Sequence, residues 1–342
     1  MVDGVACGTR CMAGMTGTGV AFQVLRMGLL ALAAAGLAAC GQTDGGGISA
    51  ASTPLSKEAM HLMADKGVTP SSPIFIRIFK EESELEVWKA RDDGHFYHFK
   101  TYPICNWSGD LGPKISQGDR QSPEGFYTVN AAQMNPNSNY YLSFNVGFPN
   151  SYDRAYGRTG SSVMVHGNCK SAGCYAMTDG LIEEIYGIAR ESFLGGHDGF
   201  QVHAFPFRMT DANMVRHAKN QWMPFWQTLK QGYDHFESTR VTPAVAVCQR
   251  QYVVNVKLAG DRDQSRIDPE GPCPAFERPL VAPFQPKPGD QIADERIVAP
   301  GPKERTLATV PAPFDRNGLT SSFTGSVGSA NLSRAPAYGF SR

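Results

Sequence analysis

The chain has 342 residues, which at roughly 150 residues per domain sets an expectation of about two domains. Apolar residues make up 42% of it, aromatic residues 10% and charged residues 19%, enough to bury a core, so wholesale disorder is excluded. With 32 basic and 32 acidic side chains the formal charge is zero, and the basic excess expected of a nucleic-acid-binding protein is missing.

Met27 to Ala39 is an apolar run of 13 residues. A bilayer-spanning helix needs about 20, so this run is too short to cross. It follows Arg26 and ends in small residues, the layout of a secretory leader. Leu37-Ala38-Ala39-Cys40 resembles the lipobox of bacterial lipoproteins, which implies cleavage after residue 39 and lipid on Cys40. Gly41, in place of an aspartate, implies by the same resemblance delivery to an outer membrane, with the folded part facing the periplasm. An ordinary cleaved signal is the alternative. Residues 40–55 are rich in Gly, Ser and Thr and read as a flexible tether.

Residues 56–66 predict a short helix, with Ser56 as N-cap, Ala59, Leu62 and Met63 on one face and Gly67 as the stop. At Ile74 the period changes. Residues 74–80, 84–90 and 95–102 are strand-like, and Asp92-Asp93-Gly94 signals a hairpin between the last two. The stretch 103–125 is a shaped Pro/Gly loop. Strands are expected at 126–131 and 140–146, and 161–165 is a short apolar strand running into His166. A helix follows around Leu181–Ala189 with Asp179 as its cap. Residues 201–205 read as a strand, 211–236 as one longer helix that Pro224 is placed to kink, and 245–247 with 252–256 as a last strand pair. The catalytic domain is therefore set at 56–258. Twelve of the 23 prolines fall in 259–342, a low-complexity tail expected to be disordered. Cys248 and Cys273 are candidates for a disulfide in an oxidising compartment.

The segment that carries chemistry is Val163–Asp179, VMVHGNCKSAGCYAMTD. A histidine closes a buried strand, a glycine follows it, and Cys174 sits behind Gly173 eight residues on. A thiol with an ordinary pKa of about 8.5 is mostly protonated at neutral pH. A histidine within hydrogen-bond reach can take that proton, giving a Cys–His nucleophile pair. Such a pair predicts alkylation of Cys174 well below pH 8. The Gly173–Cys174 turn can leave backbone N–H groups free for an oxyanion.

The order His-Gly…Ser-x-Gly-Cys resembles the signature of L,D-transpeptidases, the YkuD-type domain that remodels bacterial peptidoglycan. The segments 76–89, 101–127, 145–153, 166–174 and 203–210 are similar to the YafK-like branch. The resemblance implies an α+β, β-rich fold with a mixed β-sandwich or barrel core and a few helices. It implies a thioester acyl-enzyme on a stem peptide with a diaminopimelate centre. Carried over, Cys174 is the nucleophile and His166 the proton acceptor and donor. Gly173 offers an oxyanion-hole N–H, Gly167 orients the histidine, Ser171 shapes the turn, and Tyr156 with Arg158 contacts substrate, Arg158 by binding a carboxylate. The common signature has a second histidine before Gly-Cys and an arginine two residues after it; here these are Ala172 and Ala176. That departure leaves two acceptors open. An amine gives transpeptidation; water gives an amidohydrolase that releases a wall-linked lipoprotein from peptidoglycan. No metal or organic cofactor is implied, nor any membrane contact beyond the lipid anchor.

Other readings compete for the same residues. Cys174 could be the disulfide partner of Cys169. His166, Cys169 and Cys174 with His197 or His203 could hold zinc, although H-x2-C-x4-C is not a usual finger spacing. A scaffold that binds the wall without catalysis is a third. Cys169 reads best as a buried spectator, His95, His98 and His203 as packing or surface histidines, and Trp88, Trp222, Phe225 and Trp226 as core. Trp107, in the Pro/Gly loop, is open between core and groove.

Overall fold

The computed structural model describes residues 49–258, 267–287 and 290. The leader at 1–39, Cys40 and the stretch from 291 onward lie outside the described residues. Strand β1 (Ile74–Phe79) shows how the sequence builds the centre. Its six residues, IFIRIF, are all buried, the mark of a strand covered on both faces. Side chains alternate: Ile74, Ile76 and Ile78 enter the main core, while Phe75, Arg77 and Phe79 take the opposite face.

Strands β2 (Glu84–Ala90) and β3 (Phe96–Pro103) follow. The Asp-Asp-Gly turn joins them as expected: Arg91 N–H donates to His95 O at 3.0 Å, and Asp93 Oδ1 accepts from His95 N at 3.0 Å. In chain order come β4 (Asn106–Trp107), β5 (Gly125–Asn130), β6 (Met134–Ser138), β7 (Tyr141–Asn145), β8 (Met164–His166), β9 (Tyr175–Ala176) and β10 (Gly199–Phe205). They form two five-stranded sheets, β3-β2-β1-β10-β5 and β4-β9-β8-β7-β6. Residues of both sheets, among them Val87, Val129, Phe144, Val165 and Val202, share one core with Ile182, Ile185 and Ile188 of a helix at Asp179–Leu194. The chain is thus α+β and strand-rich.

Helix α1 (Lys57–Asp65) begins where expected, with Ser56 Oγ accepting from Ala59 N. Helix α2 (Ser151–Ala155) is a short turn. Helix α3 (Asp179–Leu194) is capped by Thr178, whose hydroxyl accepts from Leu181 N, rather than by Asp179; that carboxylate has another task, described below. The single helix expected over 211–236 is two, α4 (Asp211–Arg216) and α5 (Met223–Thr239). Pro224 sits in the first turn of α5, where its missing N–H costs nothing, so it starts a helix instead of kinking one. Phe225, Trp226, Leu229 and Tyr233 of α5 cover the outer face of the first sheet against Phe79, Phe126 and Phe205.

Both edges of the domain differ from the sequence reading. Part of the stretch read as a tether is docked: Ala50, Ala51 and Leu55 pack on the main core, and Arg190 Nη1 donates to Ala51 O at 2.6 Å. Beyond residue 258 structure continues. Hairpin β11 (Val245–Cys248) and β12 (Gln251–Val254) is followed by β13 (Lys257–Leu258), which pairs with β14 (Phe276–Glu277). Cys248 and Cys273 are joined in a disulfide. All described residues belong to one compact unit.

The outer face of β1 carries a buried charge cluster. Arg77 lies opposite Glu86 in the β1–β2 ladder and donates to its carboxylate from Nε at 2.9 Å and Nη2 at 2.7 Å. Its Nη1 reaches Glu237 of α5 at 2.6 Å. Burial alone would raise the Glu86 carboxyl; Arg77, Arg208 and His98 overcome that and hold it at about 2. Removing one partner of a buried pair leaves the other charge stranded. Glu86→Ala should therefore lose about 3–5 kcal/mol in urea unfolding. Because the folded pKa is depressed, the Glu86 contribution is full above the ordinary carboxylate range and is lost as pH falls toward 2. Comparing acid unfolding of wild type with Glu86→Gln checks this, and an unchanged acid limb would contradict it.

Candidate active site

Strands β8 and β9 are parallel, with Val165 opposite Tyr175 and His166 opposite Ala176. Carried one residue back, the register sets Cys174 beside Met164. Met164 and His166 share a face, so Cys174 lies one side-chain repeat from His166 on that face. Residues 167–173 are the crossover loop between them. Met177 N–H donates to His166 O at 2.7 Å and Cys169 N–H to Met177 O at 3.1 Å. At Gly167 a Cβ would stand 2.5 Å from Asp179 Oδ1 and 2.9 Å from Tyr140 O, so only glycine lets the chain turn there. Asp179 Oδ1 accepts from Asn168 N at 2.7 Å.

His166 is buried. Its Nδ1 lies 2.6 Å from Gly167 O. A carbonyl oxygen only accepts, so the proton is on Nδ1 and the Nε2 lone pair is left open. The ring packs against Tyr140, centroids 4.7 Å apart. Burial lowers the imidazole pKa, and the bond to Gly167 offsets part of that. At neutral pH the ring is an uncharged base.

Cys174 is a free thiol, partly exposed. Its Sγ accepts from Met164 N at 3.4 Å and is 3.9 Å from Ser162 O, a long contact in which the thiol is the donor. Burial raises the thiol pKa, against the Met164 N–H and the Lys114 charge, which lower it. Both directions favour the neutral forms, thiol and imidazole, in the resting site. The backbone of the nucleophile is fixed by hydroxyls. Ser171 Oγ at 2.7 Å and Ser122 Oγ at 3.0 Å both donate to Cys174 O, and Ser108 Oγ joins Ser171 Oγ at 3.1 Å.

Cys169 is not a spectator. It is bonded to Cys105, which ties the crossover loop to the segment leading into β4. This bond removes Cys169 both as a partner for Cys174 and as a zinc ligand beside His166. It holds two consecutive left-handed residues, Asn168 and Cys169, at φ 68° and 51°, where a side chain crowds its own backbone.

Of the other residues read from the sequence, Ser171 is in the turn as expected. Gly173 N–H, expected at an oxyanion, donates to Ser171 Oγ at 3.3 Å in the resting loop. Arg158 is spent elsewhere: it is buried, its Nη1 is 2.7 Å from Asp153 Oδ1, and Tyr152, Tyr156 and Phe225 surround its guanidinium. Its ion pair with Asp153 holds α2 in place. Tyr156 is exposed and leans on Tyr152. The sequence reading missed Lys114, Ser122 and Tyr140, which lie in a Pro/Gly loop and a polar turn without periodicity. It missed Cys105 too, although parity pointed there: five cysteines follow Cys40, so pairing among them leaves one over. His203, Trp88 and Trp226 are core.

The site thus sets a strand-end histidine, locked on its own loop, near a free thiol on the parallel neighbour. Residues 75–202 match the YkuD L,D-transpeptidase catalytic domain, a span that contains both side chains. The chain is 44% identical over 221 residues, 65% of its own length and 87% of the relative's, to a protein of Escherichia coli (strain K12) named "Putative L,D-transpeptidase YafK". The match to the protein of that name in Escherichia coli O157:H7 is the same. The chain belongs to the L,D-transpeptidase family, whose members act on peptidoglycan. Among solved structures, it is similar to the helical cell shape determining protein Pgp2 from Campylobacter jejuni, at 16% identity over 55% of this chain and 79% of that one, with a TM-score of 0.32. Bd1075 of Bdellovibrio bacteriovorus gives 15%, 49%, 63% and 0.26.

The neutral pair has a kinetic signature. Iodoacetamide labelling of Cys174 should follow a thiolate that forms at higher pH than in a free peptide thiol, with little reaction at about pH 7. Labelling half-complete below about pH 8 would contradict this and indicate a resting ion pair.

Proposed function

We propose that the chain is a peptidoglycan L,D-transpeptidase working through Cys174 and His166 on a diaminopimelate-containing stem peptide. The observation that carries this reading is the Nδ1–Gly167 bond, which leaves Nε2 as a base on the face that carries the one free thiol among the described residues. When the peptide enters, Sγ attacks its carbonyl carbon and the thiol proton passes to Nε2. The oxyanion forms at the Gly173–Cys174 turn, where Gly173 N–H exchanges its long bond to Ser171 for the new charge. The imidazolium gives its proton to the leaving amine, the C–N bond breaks, and a thioester remains. A second amine, deprotonated by Nε2, then displaces the sulfur and restores the thiol.

The buried imidazole suits this role. A base that stays neutral at about pH 7 accepts a proton only as the thiol gives it up, so charge appears together with the transition state. The chain works in the cell envelope, anchored through lipid on Cys40 at the periplasmic face of the outer membrane. Two disulfides support an oxidising compartment. Water in place of the second amine would make the same centre an amidohydrolase that frees wall-linked lipoprotein.

The test is mass spectrometry of purified protein incubated with stem peptides and with lipoprotein-linked muropeptides. A peptide adduct on Cys174 and cross-linked dimers are expected. Cys174→Ala should give neither, and His166→Ala should slow adduct formation about 10²–10⁴-fold. Released lipoprotein without dimers would assign water as the acceptor. An adduct-free wild type would overturn the proposal.

A further inference from the structure

Eleven arginines are described, and ten of them are occupied. Eight sit in ion pairs: Arg77, Arg91, Arg158, Arg190, Arg208, Arg216, Arg240 and Arg250. Arg154 donates to Pro149 O and Ser151 Oγ, and Arg278 lies over Phe276. Arg120 is the exception. It is exposed and its side chain has no partner among the described residues.

Its place gives that solitude a meaning. A Cβ at Gly173, the residue before the nucleophile, would meet Gln121 O at 3.6 Å, Arg120 C at 3.8 Å and Arg120 Cα at 3.9 Å. Arg120 therefore borders the turn that presents Cys174. The loop beneath it is rigid. The Asp119 carboxylate accepts from Ile115 N at 2.8 Å, Ser116 N at 2.9 Å and Gln121 N at 3.0 Å, and from Lys114 Nζ. Gln121 clamps the other side, with Oε1 accepting from Asp110 N at 2.9 Å and Nε2 donating to Gly112 O at 2.7 Å. Lys114 and Asp119 neutralise each other, so Arg120 is left as the loop's uncompensated cation facing solvent; Asp110 is the other exposed charge nearby. Lys170, also exposed and without an ion pair among the described residues, adds positive charge from the crossover loop. Arg120 is held at φ 54°, a left-handed conformation that glycine or asparagine adopts far more easily. An arginine in such a conformation, on a fixed loop beside Cys174, exposed and without a side-chain partner among the described residues, is available to an anionic group.

We propose that Arg120 is the carboxylate-recognition residue of this site, gripping the free diaminopimelate carboxylate of the peptide whose carbonyl Cys174 attacks. The planar guanidinium offers two parallel N–H donors to one carboxylate, which fixes orientation as well as adding affinity. This is the role expected of Arg158 from the sequence, moved to an arginine that is free to perform it. It deepens the reading of the site as one for wall stem peptides, whose diaminopimelate carries a free carboxylate at the far end of its side chain.

The test separates binding from chemistry. Full-length Cys174→Ala protein is titrated by calorimetry with a stem tetrapeptide bearing a free diaminopimelate carboxylate, and with the same peptide amidated there. The free acid should bind about 10- to 100-fold more tightly. Adding Arg120→Asn, which suits the left-handed backbone, should erase that preference and leave the amidated peptide unaffected. Arg120→Lys, which keeps the charge without the fork, should retain only part of it. Equal preference with and without Arg120, or no preference in its presence, overturns the proposal. Failure of the transpeptidase reading would appear separately, as wild-type protein that forms no adduct on Cys174 while the carboxylate preference persists.

Discussion

One hydrogen bond orders the chemistry. The His166 Nδ1–H is held by the carbonyl of the next residue, and that choice decides which nitrogen is the base. Everything around it serves the same end. Gly167 can turn only because it has no side chain. Asp179 occupies the space a Cβ would need and holds Asn168. Tyr140 covers the ring, and burial keeps it uncharged. A single carbonyl thus does for this imidazole what a carboxylate does in a Ser-His-Asp triad, without placing a negative charge in the site. Burial, not that bond, pushes both groups toward their neutral forms: it lowers the imidazole pKa and raises the thiol pKa.

The nucleophile is placed by a different set of forces. Its carbonyl is gripped by Ser122 and Ser171, and Ser122 belongs to a loop fixed from below by a buried ion pair. Lys80, at the end of β1, reaches Asp110 O, Gly112 O, Ser122 O and Glu124 Oε1 within 3.0 Å. The other Glu124 oxygen accepts from Trp226 Nε1 of α5 at 2.8 Å. Burial lowers the Lys80 pKa, with Glu124 opposing. The ammonium fixes the conformation of a Pro/Gly-rich loop that has no ladder of its own, and so sets the wall against which the Gly173–Cys174 turn rests. The Cys105–Cys169 bond anchors the same turn from the opposite end. The site is built from short irregular segments, and its rigidity comes from these few strong contacts.

Most of the strands could be read from the sequence because alternation reports burial directly. IFIRIF and its neighbours say where they lie, and the His-Gly and Gly-Cys pairs pointed to the family that the chain belongs to. The errors fall where one residue has two uses. Asp179 looks like a helix cap and is a loop clamp. Pro224 looks like a kink and is a helix start. Arg158 looks like a substrate ligand, but Asp153, five residues earlier, already neutralises it. Local pattern cannot reveal a partner that is brought in by the fold. The same holds for Cys105 and Cys169, 64 residues apart in sequence, and for Lys80 and Glu124. The pKa directions follow from burial at positions that only the packed fold defines, so they could not be read from the sequence.

The tautomer of His166 can be observed directly. Nitrogen-15 NMR of the imidazole in the resting protein at about pH 7 distinguishes a proton on Nδ1 from one on Nε2, and a neutral ring from a charged one. The bond to Gly167 requires a proton on Nδ1, and burial, which lowers the imidazole pKa, favours the neutral ring. A proton on Nε2, or an imidazolium at that pH, would contradict it.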